Sequence, residues 1–437
     1  MAWYEGFGLM IGAVLVLMMI GLPVAFAFIA ANILGAFVFL GGERGIAQLI
    51  NNSSSALTNF ALVPVPLFLL MGELFFHTGL ATRVFDAIDK LMGRVPARLS
   101  FVTVAGGTAF AALSGSSMAS TAMLGSLMVP EMARRGYAQV MSIGPILGVG
   151  GLAMLIPPSA LAVLLGTLAR VDVGQLLIAG VVPGLILAGL YALLILGLVT
   201  AAPRLAPAYE VTPAPLLAKL RLLLTDILPM GVVVFLVVGL ILLGWATPSE
   251  AAAFGAVGVL LLAAAFRCLT WPALVRSVTG ALKVTVMAFL IVLGSATFSQ
   301  ILAFSGASAG MLAWATAFDL SPVAMLLVMF GVLLILGMFM DQLSMMLITV
   351  PIFFPLAQSY GFDLIWFGVI VLMALEISFT TPPFGLLLFV MRGVAPPGTT
   401  MAQICISALP FMACAFLLVA LLIWEPRLAL FLGTLAR

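Results

Sequence analysis

The sequence predicts an all-α polytopic membrane protein made of two inverted repeats, each with a re-entrant helical hairpin and a broken transmembrane helix. Three observations support this fold class. The 437 residues are 64% hydrophobic and only 7% charged, whereas soluble domains carry about 25% charged residues. The apolar segments are long enough for helices that cross a bilayer and too long for the strands of a barrel. Two segments are interrupted near their middles, and matched prolines recur at a fixed spacing.

The apolar segments predict ten full spans and two hairpins. The full spans are expected near residues 6–21, 23–40, 58–78, 141–168, 172–201, 226–245, 249–267, 284–304, 364–390 and 404–432. The first of these has no basic n-region before it, so it is expected to be a span rather than a cleaved signal. Residues 99–133 and 320–358 are each too broken for one span, so each is expected to form a hairpin that enters and leaves on one side. Non-helical backbone at membrane depth is tolerated where protein or a wet cavity covers it.

The basic residues support the hairpins and set the orientation. With both hairpins in place and the N-terminus outside, thirteen of the 17 Lys and Arg residues fall on one side, which is therefore the cytoplasm. The other side receives Arg44, Arg170, Arg427 and Arg437. A first hairpin that crossed the membrane would separate the basic residues at its two ends.

Three connectors complete the predicted layout. The Pro-rich stretch Pro203–Lys219 is the linker between the two halves. Thr82–Leu91 and Trp271–Leu282 are short and amphipathic. They are expected either to lie along the cytoplasmic interface as struts or to extend the neighbouring helices.

The two halves repeat at a spacing of 225 residues. The matched pairs are Pro130 with Pro355, Gly136 with Gly361, and Pro157–Pro158 with Pro382–Pro383. Five full spans lie between the two units, so the second unit is expected to be upside down relative to the first. Inverted repeats with broken helices are typical of secondary transporters, whose sites lie at the repeat interface near the midplane.

Four polar breaks lie within the repeat units. They are the first hairpin tip (113–121), the first span break (150–159), the second hairpin tip (337–344) and the second span break (376–385). A broken helix leaves free carbonyls at one end and free N–H groups at the other. The carbonyls, with Ser and Thr hydroxyls, suit Na⁺, and the N–H ends suit anions. The Ser-rich first tip could instead serve close helix packing.

Two acids lie in or beside the breaks. Asp341 is in the second tip, where the first copy has Ser116. An ionisable group in the membrane is a functional candidate, so Asp341 is expected to complete a cation site or carry a proton, or else to bond hairpin N–H groups as a structural acid. Glu376 is expected to be a ligand or a cap near the break, or an acid paired elsewhere.

The composition argues against other classes of protein. The single histidine, His77, and three cysteines without ligand spacing offer little material for a zinc site or a catalytic triad. We therefore expect no enzyme activity. No basic cluster interleaved with aromatic residues suggests nucleic acid as a partner.

The sequence resembles the large membrane subunit of TRAP transporters, the tripartite ATP-independent periplasmic type. The stretches that carry the resemblance are SGSSMASTAMLGSLMVPEM, LIPPSALAVLLG, GMFMDQLSMMLITVPIFFP, TTPPFGLLLFV, PLFLLMGELFFHTGL and TPSEAAAFGAVG. The resemblance implies a bacterial inner-membrane, multi-pass subunit of the ion-transporter superfamily with an elevator-type transport domain. It implies a small four-helix membrane subunit and a periplasmic substrate-binding protein as partners. It also implies uptake of an organic anion, such as a C4-dicarboxylate or sialic acid, driven by Na⁺ at two or more sites.

The resemblance also implies a division of the chain. Scaffold spans are expected at 1–80, at 171–270 with a linker at 202–222, and at 393–437. Interfacial arm helices are expected at 81–98 and 271–283, and the two halves of the transport domain at 99–170 and 284–392. Three other functions are considered as alternatives. They are a Na⁺/dicarboxylate symporter that needs no binding protein, a passive channel and an intramembrane hydrolase.

By the family pattern, each hairpin tip joins its own span break in a Na⁺ site. The expected ligands are Ser114, Ser116, Ser117, Gly150, Gly151, Ala153 and Ile156 in the first site, and Gly337, Asp341, Ser378, Thr380 and Thr381 in the second. The substrate is expected between the two tips. Its expected contacts are Ser116, Ser117, Ser159, Asp341, Gln342 and Thr381.

Overall fold

The computed structural model describes residues 2–93, 95–207, 215–382 and 385–435, and every regular element in these ranges is helical. The helices of the first half are α1 (Trp3–Met19), α2 (Val24–Phe39), α3 (Glu43–Leu57), α4 (Pro64–His77), α5 (Leu80–Met92), α6 (Arg98–Ser114), α7 (Ser117–Arg134), α8 (Gln139–Leu155), α9 (Ala160–Ala169) and α10 (Val173–Ala201). Those of the second half are α11 (Leu216–Leu242), α12 (Pro248–Ala265), α13 (Trp271–Phe304), α14 (Ala307–Thr316), α15 (Pro322–Gly337), α16 (Gln342–Ser359), α17 (Leu364–Phe379), α18 (Leu386–Val394), α19 (Met401–Trp424) and α20 (Arg427–Leu435).

The 225-residue repeat extends over nearly the whole chain. Helix α7 starts and ends 225 residues before α16, and α2, α8 and α9 match α12, α17 and α18 to within one residue at either end. Gly136 and Gly361, which follow α7 and α16, have φ angles of 76° and 74°. Glycine adopts this left-handed conformation without the steric cost that a Cβ brings, which explains why both copies carry it.

The packing of the two halves is reciprocal. Helix α4 packs on α12, and their counterparts α13 and α2 pack on each other. In the same way α8 packs on α19 while α17 packs on α10, and α9 packs on α16 while α18 packs on α7. Reciprocal contacts of this kind follow from a two-fold relation between two units. The repeat is therefore structural, and each half completes the other.

The helices form two bundles with an interface between them. The outer bundle contains α1–α4 and α11–α13, and the inner bundle contains α6–α10 and α15–α20. Contacts between them are made chiefly by α4 and α13 on one side and by α6, α9 and α16 on the other. Helices α5 and α14 connect the bundles and touch both.

This packing differs from the division expected from the sequence. Residues 171–201 and 393–435 were expected in the scaffold, yet α10, α19 and α20 pack in the inner bundle with both hairpins. Residues 284–304 were expected in the transport domain, yet this part of α13 packs on α2, α3 and α4. Hydropathy predicts where a span lies in the chain but carries no information on which bundle receives it.

The first arm is a separate helix and does not extend a neighbouring one. Its expected position along the cytoplasmic interface stays a prediction. Gly79 and Gly93, with φ angles of 77° and 63°, separate α5 from its neighbours. An ion pair of 2.8 Å between Asp89 and Arg98 ties α5 to the first hairpin. Burial raises the pKa of the Asp89 carboxyl, and the nearby Arg98 opposes that shift.

The second arm, 271–283, is not a separate helix. It is the first part of α13, which runs without interruption for 34 residues, so the alternative of a helix extension is correct here. The repeat counterpart of α5 is α14, which the sequence analysis did not predict. The last predicted span, 404–432, ends at Trp424, and α20 follows as a separate helix.

Among the described helices, seven are long and apolar enough to cross a membrane, or eight when α8 and α9 count as one span bent by 44°. Five further apolar helices are shorter, with 10–17 residues each, and they include α1, α2 and α17. The chain is therefore an all-α polytopic membrane protein. The expected hairpins are present as α6–α7 and α15–α16, and the broken spans as α8–α9 and α17–α18.

Candidate ion and substrate site

The first hairpin tip touches the first span break. Gly115 has a φ of 59° and reverses the chain after α6, and the Ser116 hydroxyl oxygen caps α7 by accepting the Ala119 N–H at 3.3 Å. A Cβ on Gly115 would lie 2.7 Å from the carbonyl oxygen of Pro158. Only glycine allows this close approach. The side chain of Ser114 lies outside the described part of the structure, so its expected ligand role stays a prediction.

Two buried hydroxyls lie at this contact. Ser117 and Thr121 are one turn apart on α7, and neither side-chain oxygen has a hydrogen-bond partner within the described ranges. A Cβ on Gly150 would overlap the Thr121 hydroxyl and lie 3.4 Å from the Ser117 carbonyl oxygen. An unsatisfied buried polar group costs about 1–3 kcal/mol, and a cation that accepted these lone pairs would offset that cost.

Thr121 is absent from the ligands expected from the sequence. The sequence did contain a signal for Thr121, because a hydroxyl four residues after Ser117 lies on the same helix face. That face points at α8, and Pro157 and Pro158, which follow α8, lack N–H groups. The carbonyls of Ala153 and Met154, four residues earlier, therefore lose their helical donors. This loss is compatible with the expected ligand role of Ala153, which stays a prediction.

The side-chain directions of Gly151 and Ile156 are given by their neighbours. A Cβ on Gly151 would overlap the carboxylate of Glu376, and the Ile156 side chain lies against Gly184 of α10. Because only their backbone carbonyls could bind Na⁺, the expected ligand roles of both residues stay predictions.

The second tip touches the second break in the corresponding way. Gly337 ends α15 directly against Ser378, where an added Cβ would overlap the serine hydroxyl. Asp341 caps α16, because its Oδ2 accepts the N–H groups of Leu343 at 3.0 Å and Ser344 at 3.2 Å. Its Oδ1 accepts the hydroxyl of Ser344. Asp341 therefore bonds the N–H groups of its hairpin, which is one of the roles expected for it. The same carboxylate also lines the cavity described below.

The hydroxyls of the second break donate to their own helix. Ser378 donates to the Leu375 carbonyl at 2.9 Å, and Thr380 and Thr381 donate to the Ile377 carbonyl at 3.0 and 2.6 Å. Their protons are thus used and their lone pairs remain as acceptors. Pro383 lies outside the described residues.

A cavity of about 210 Å³ lies between the two tips. Four of the six expected substrate contacts line it: Ser116, Ser117, Asp341 and Gln342. The opposite wall is made by α4 and α13 of the outer bundle, through Val65, Leu69, Val284, Met287 and Ala288. The cavity therefore lies at the interface between the bundles.

The other two expected substrate contacts are not among the residues that line the cavity. Ser159 is buried as the cap of α9 and accepts the Ala162 N–H at 3.2 Å. Thr381 lies beyond Phe379, and Phe379 lines the cavity in its place. Gln342 also donates to the Met154 sulfur at 3.6 Å, which links the second tip to the first broken helix.

Glu376 lies between the broken helices and is 4% exposed. Its Oε2 has no hydrogen-bond partner within the described ranges, and no ion pair involves it there. Tyr191 and Thr380 line the small cavity beside it. Among the described residues, its side chain is not seen to cap a helix or to form an ion pair. Because an isolated buried charge is very costly, Glu376 is either neutral or neutralised by a bound cation.

Two hairpins that meet tip to tip, each held by a broken helix, define a multi-pass membrane protein of the secondary-transporter class. The family "Tripartite ATP-independent periplasmic transporter, DctM component" matches residues 11–428. The chain therefore belongs to the family of TRAP transporter large permease subunits. This family normally works with a small membrane subunit and a periplasmic binding protein.

Two relatives agree with this membership, and a solved structure shares the fold. The C4-dicarboxylate TRAP transporter large permease protein DctM of Pseudomonas aeruginosa is 34% identical over 375 residues, which cover 85% of this chain and 86% of that protein. The ectoine TRAP transporter large permease protein TeaC of Halomonas elongata is 28% identical over 431 residues, 98% of this chain and 99% of that protein. The YdaH transporter of Alcanivorax borkumensis has a similar fold, with a TM-score of 0.65 at 14% identity and 90% of each chain covered.

Proposed function

We propose that this chain is the permease of a Na⁺-coupled uptake system for an organic anion. The observation that carries the proposal is the cavity between the tips, because it joins both hairpins and lies at the interface of two bundles. A cavity at such an interface can be exposed to either side of the membrane when one bundle moves relative to the other. The inner bundle, with α10, α19 and α20 included, is the body proposed to move in an elevator mechanism.

Na⁺ fits the donor set beside the cavity, which consists of uncharged oxygens and one carboxylate. In the first site, Ser117, Thr121 and the Ala153 carbonyl would hold the ion. In the second, Asp341, Ser378 and Thr380 would do so. Bound Na⁺ would supply positive charge beside the cavity, whose described lining contains no Lys or Arg.

An anionic substrate fits the space between the tips. Helices α7 and α16 both begin at the cavity, and the start of a helix carries a partial positive charge. Ser116 and Asp341 accept some of the first N–H groups of these helices. Ser116, Ser117 and Gln342 add side-chain donors. A carboxylate is therefore the proposed class of substrate, such as a C4-dicarboxylate or sialic acid. The relatives named above differ in their substrates, so membership of the family leaves the choice within this class to experiment.

The proposed setting is the bacterial inner membrane, with a small four-helix subunit and a periplasmic binding protein as partners. Reconstitution of all three proteins in liposomes tests the proposal. An inward Na⁺ gradient should drive accumulation of the anion above its external concentration, and replacement of Na⁺ by choline should abolish it. Uptake that ignores Na⁺ and follows a pH gradient would contradict Na⁺ coupling. Uptake of free substrate without the binding protein would favour the simpler symporter.

A further inference from the structure

We propose that Arg170 forms an outer capture site for the carboxylate of the substrate, before the anion reaches the tips. This inference rests on the proposed function. The site lies in a second cavity of about 600 Å³, which we call the outer vestibule. Its walls are formed by α3, α9, α13 and α16, and the expected orientation places it on the outside of the membrane. The polar residues that line it are Asn52, Ser55, Asn59, Thr167, Arg170, Ser295, Ser299, Gln300 and Ser308.

The outer vestibule leads toward the cavity between the tips. Helices α9, α13 and α16 line both spaces. On α13 the lining passes from Ala288 to Val292, a separation of about 6 Å along the helix axis. The buried residues Ile291, Leu347 and Ile348 form an apolar cluster at this level, and Leu168 packs against it. The outer vestibule therefore ends above a closed apolar layer, with the tips on the other side.

Arg170 is the one charged residue among the described residues that line the outer vestibule. It is exposed, and no carboxylate lies within 4.0 Å of its guanidinium in the described part of the chain. The nearest acid in sequence, Asp172, is occupied as a cap and accepts the Gln175 N–H at 2.7 Å. The guanidinium is therefore available to a ligand.

The backbone at Arg170 is unusual for such a side chain. It ends α9 in the left-handed region, with a φ of 56°. This conformation is disfavoured for residues with a Cβ, and most left-handed positions among the described residues are glycine, although Ala97, Arg267 and Asp319 share it with Arg170. The repeat counterpart of Arg170 is Ala395, which is extended with a φ of −71°. Of the two copies, only the first, which faces the outer vestibule, therefore carries the cation at this position.

The wall opposite Arg170 is held by neutral amides. Gln48 and Asn52 of α3 both donate to the Gln300 side-chain oxygen of α13, at 3.1 and 2.6 Å. No acid lines this wall within the described residues, so nothing repels an anion. A guanidinium binds a carboxylate as a two-pronged donor, and a cleft of one charge sign concentrates ions of the opposite sign.

The experiment compares Arg170→Asn, Arg170→Lys and Arg44→Gln in the reconstituted three-protein system. Asparagine tolerates the left-handed backbone and removes the charge, while lysine keeps the charge. Arg44 is an exposed arginine at the start of α3, on the same predicted side, that does not line the outer vestibule. Uptake of succinate and of N-acetylneuraminate is measured against substrate concentration, at fixed Na⁺ and increasing choline chloride.

We expect Arg170→Asn to raise KM by about three- to tenfold with kcat unchanged, because capture precedes the movement. Arg170→Lys should recover most of the loss, and Arg44→Gln should have no effect. Choline chloride should raise the KM of the wild type but not of Arg170→Asn, since salt screens charges beyond about 8 Å.

Two results would overturn the capture site. They are an unchanged KM in Arg170→Asn or an equal effect of Arg44→Gln. A weaker binding-protein association with an unchanged KM would assign Arg170 to docking instead. Loss of Na⁺ dependence in the wild type would contradict the proposed function but leave the KM comparison readable.

Discussion

The two hairpin units have the same backbone and different chemistry. Helices α7 and α16 begin at the same register, yet the cap is Ser116 in one and Asp341 in the other. The first unit presents the hydroxyls of Ser117 and Thr121, which have no hydrogen-bond partner within the described residues, whereas the break hydroxyls of the second unit already donate to their own helix. The repeat therefore preserves where the helices break and lets the ligands diverge. The first unit therefore has a pocket of neutral oxygens, and the second unit has a pocket that contains a carboxylate.

This difference explains why the two units should respond unequally to matched substitutions. A carboxylate contributes a full charge to a cation site, and hydrogen bonds to charged groups are worth about 1.5–3 kcal/mol. A single hydroxyl contributes less. The following tests run from the largest expected effect to the smallest.

Asp341→Asn should have the largest effect. Asparagine still caps a helix, so α16 should persist while the charge is lost. We expect Na⁺-driven uptake to fall by at least about tenfold, the equivalent of 1.4 kcal/mol. The matched change in the first unit, Ser116→Asn, should reduce uptake much less. Equal losses in both variants, measured in proteoliposomes, would remove the proposed charge asymmetry.

Gly337→Ala should separate the second tip from its break. The added methyl would overlap Ser378, and overpacking of this kind costs about 1–3 kcal/mol. We expect a lower thermal midpoint and weaker uptake. Gly331→Ala, on the same helix with nothing within 4 Å of the new methyl, is the control. If both variants behave alike, the close contact between tip and break has no role.

Thr121→Val should weaken Na⁺ binding without harming the fold. The Thr121 hydroxyl has no partner in the described structure, so its removal should leave the midpoint in choline unchanged or slightly higher. The rise in midpoint on adding Na⁺ should shrink, because ligand stabilisation depends on the concentration divided by Kd. Thr103→Val is the control, since that buried hydroxyl already donates to the Leu99 carbonyl at 2.8 Å. A full Na⁺-induced rise in Thr121→Val would exclude Thr121 from the site.

The smallest effect is expected from joining the matched helices α10 and α19. The sulfur of Cys414 lies 4.0 Å from the Leu190 carbonyl oxygen. A bismaleimide bridge between Cys414 and Leu190→Cys should leave uptake nearly unchanged if both units move as one body. A bridge between Val292→Cys and Val350→Cys, across the two bundles, should stop it. Inhibition by the first bridge would show that α10 and α19 do not move as one body.

The breaks were predictable because polar and proline residues inside an apolar segment have few structural explanations. The hairpins, the two span breaks and the 225-residue register follow from that signal. Helix α3 was missed because its sequence, ERGIAQLINNSSSAL, is polar and does not form an apolar run. The cap role of Ser159 was missed although its signal is local, since Ser is a common N-cap and accepts the N–H of Ala162 three residues on. The assignment of α10 and α19 to a bundle depends on contacts between distant residues. No local pattern encodes those contacts.

The unbroken helix α13 has a mechanical consequence. Its 34 residues extend about 51 Å, which exceeds the roughly 30 Å of the hydrocarbon core. The first copy divides the matching chain into α3 and α4. Met287 lines the cavity between the tips and Ser299 lines the outer vestibule, about 18 Å apart on one rigid rod. Because the helix keeps these two positions at a fixed distance, probes attached to them would report how far, and in how many steps, the neighbouring bundle moves along α13.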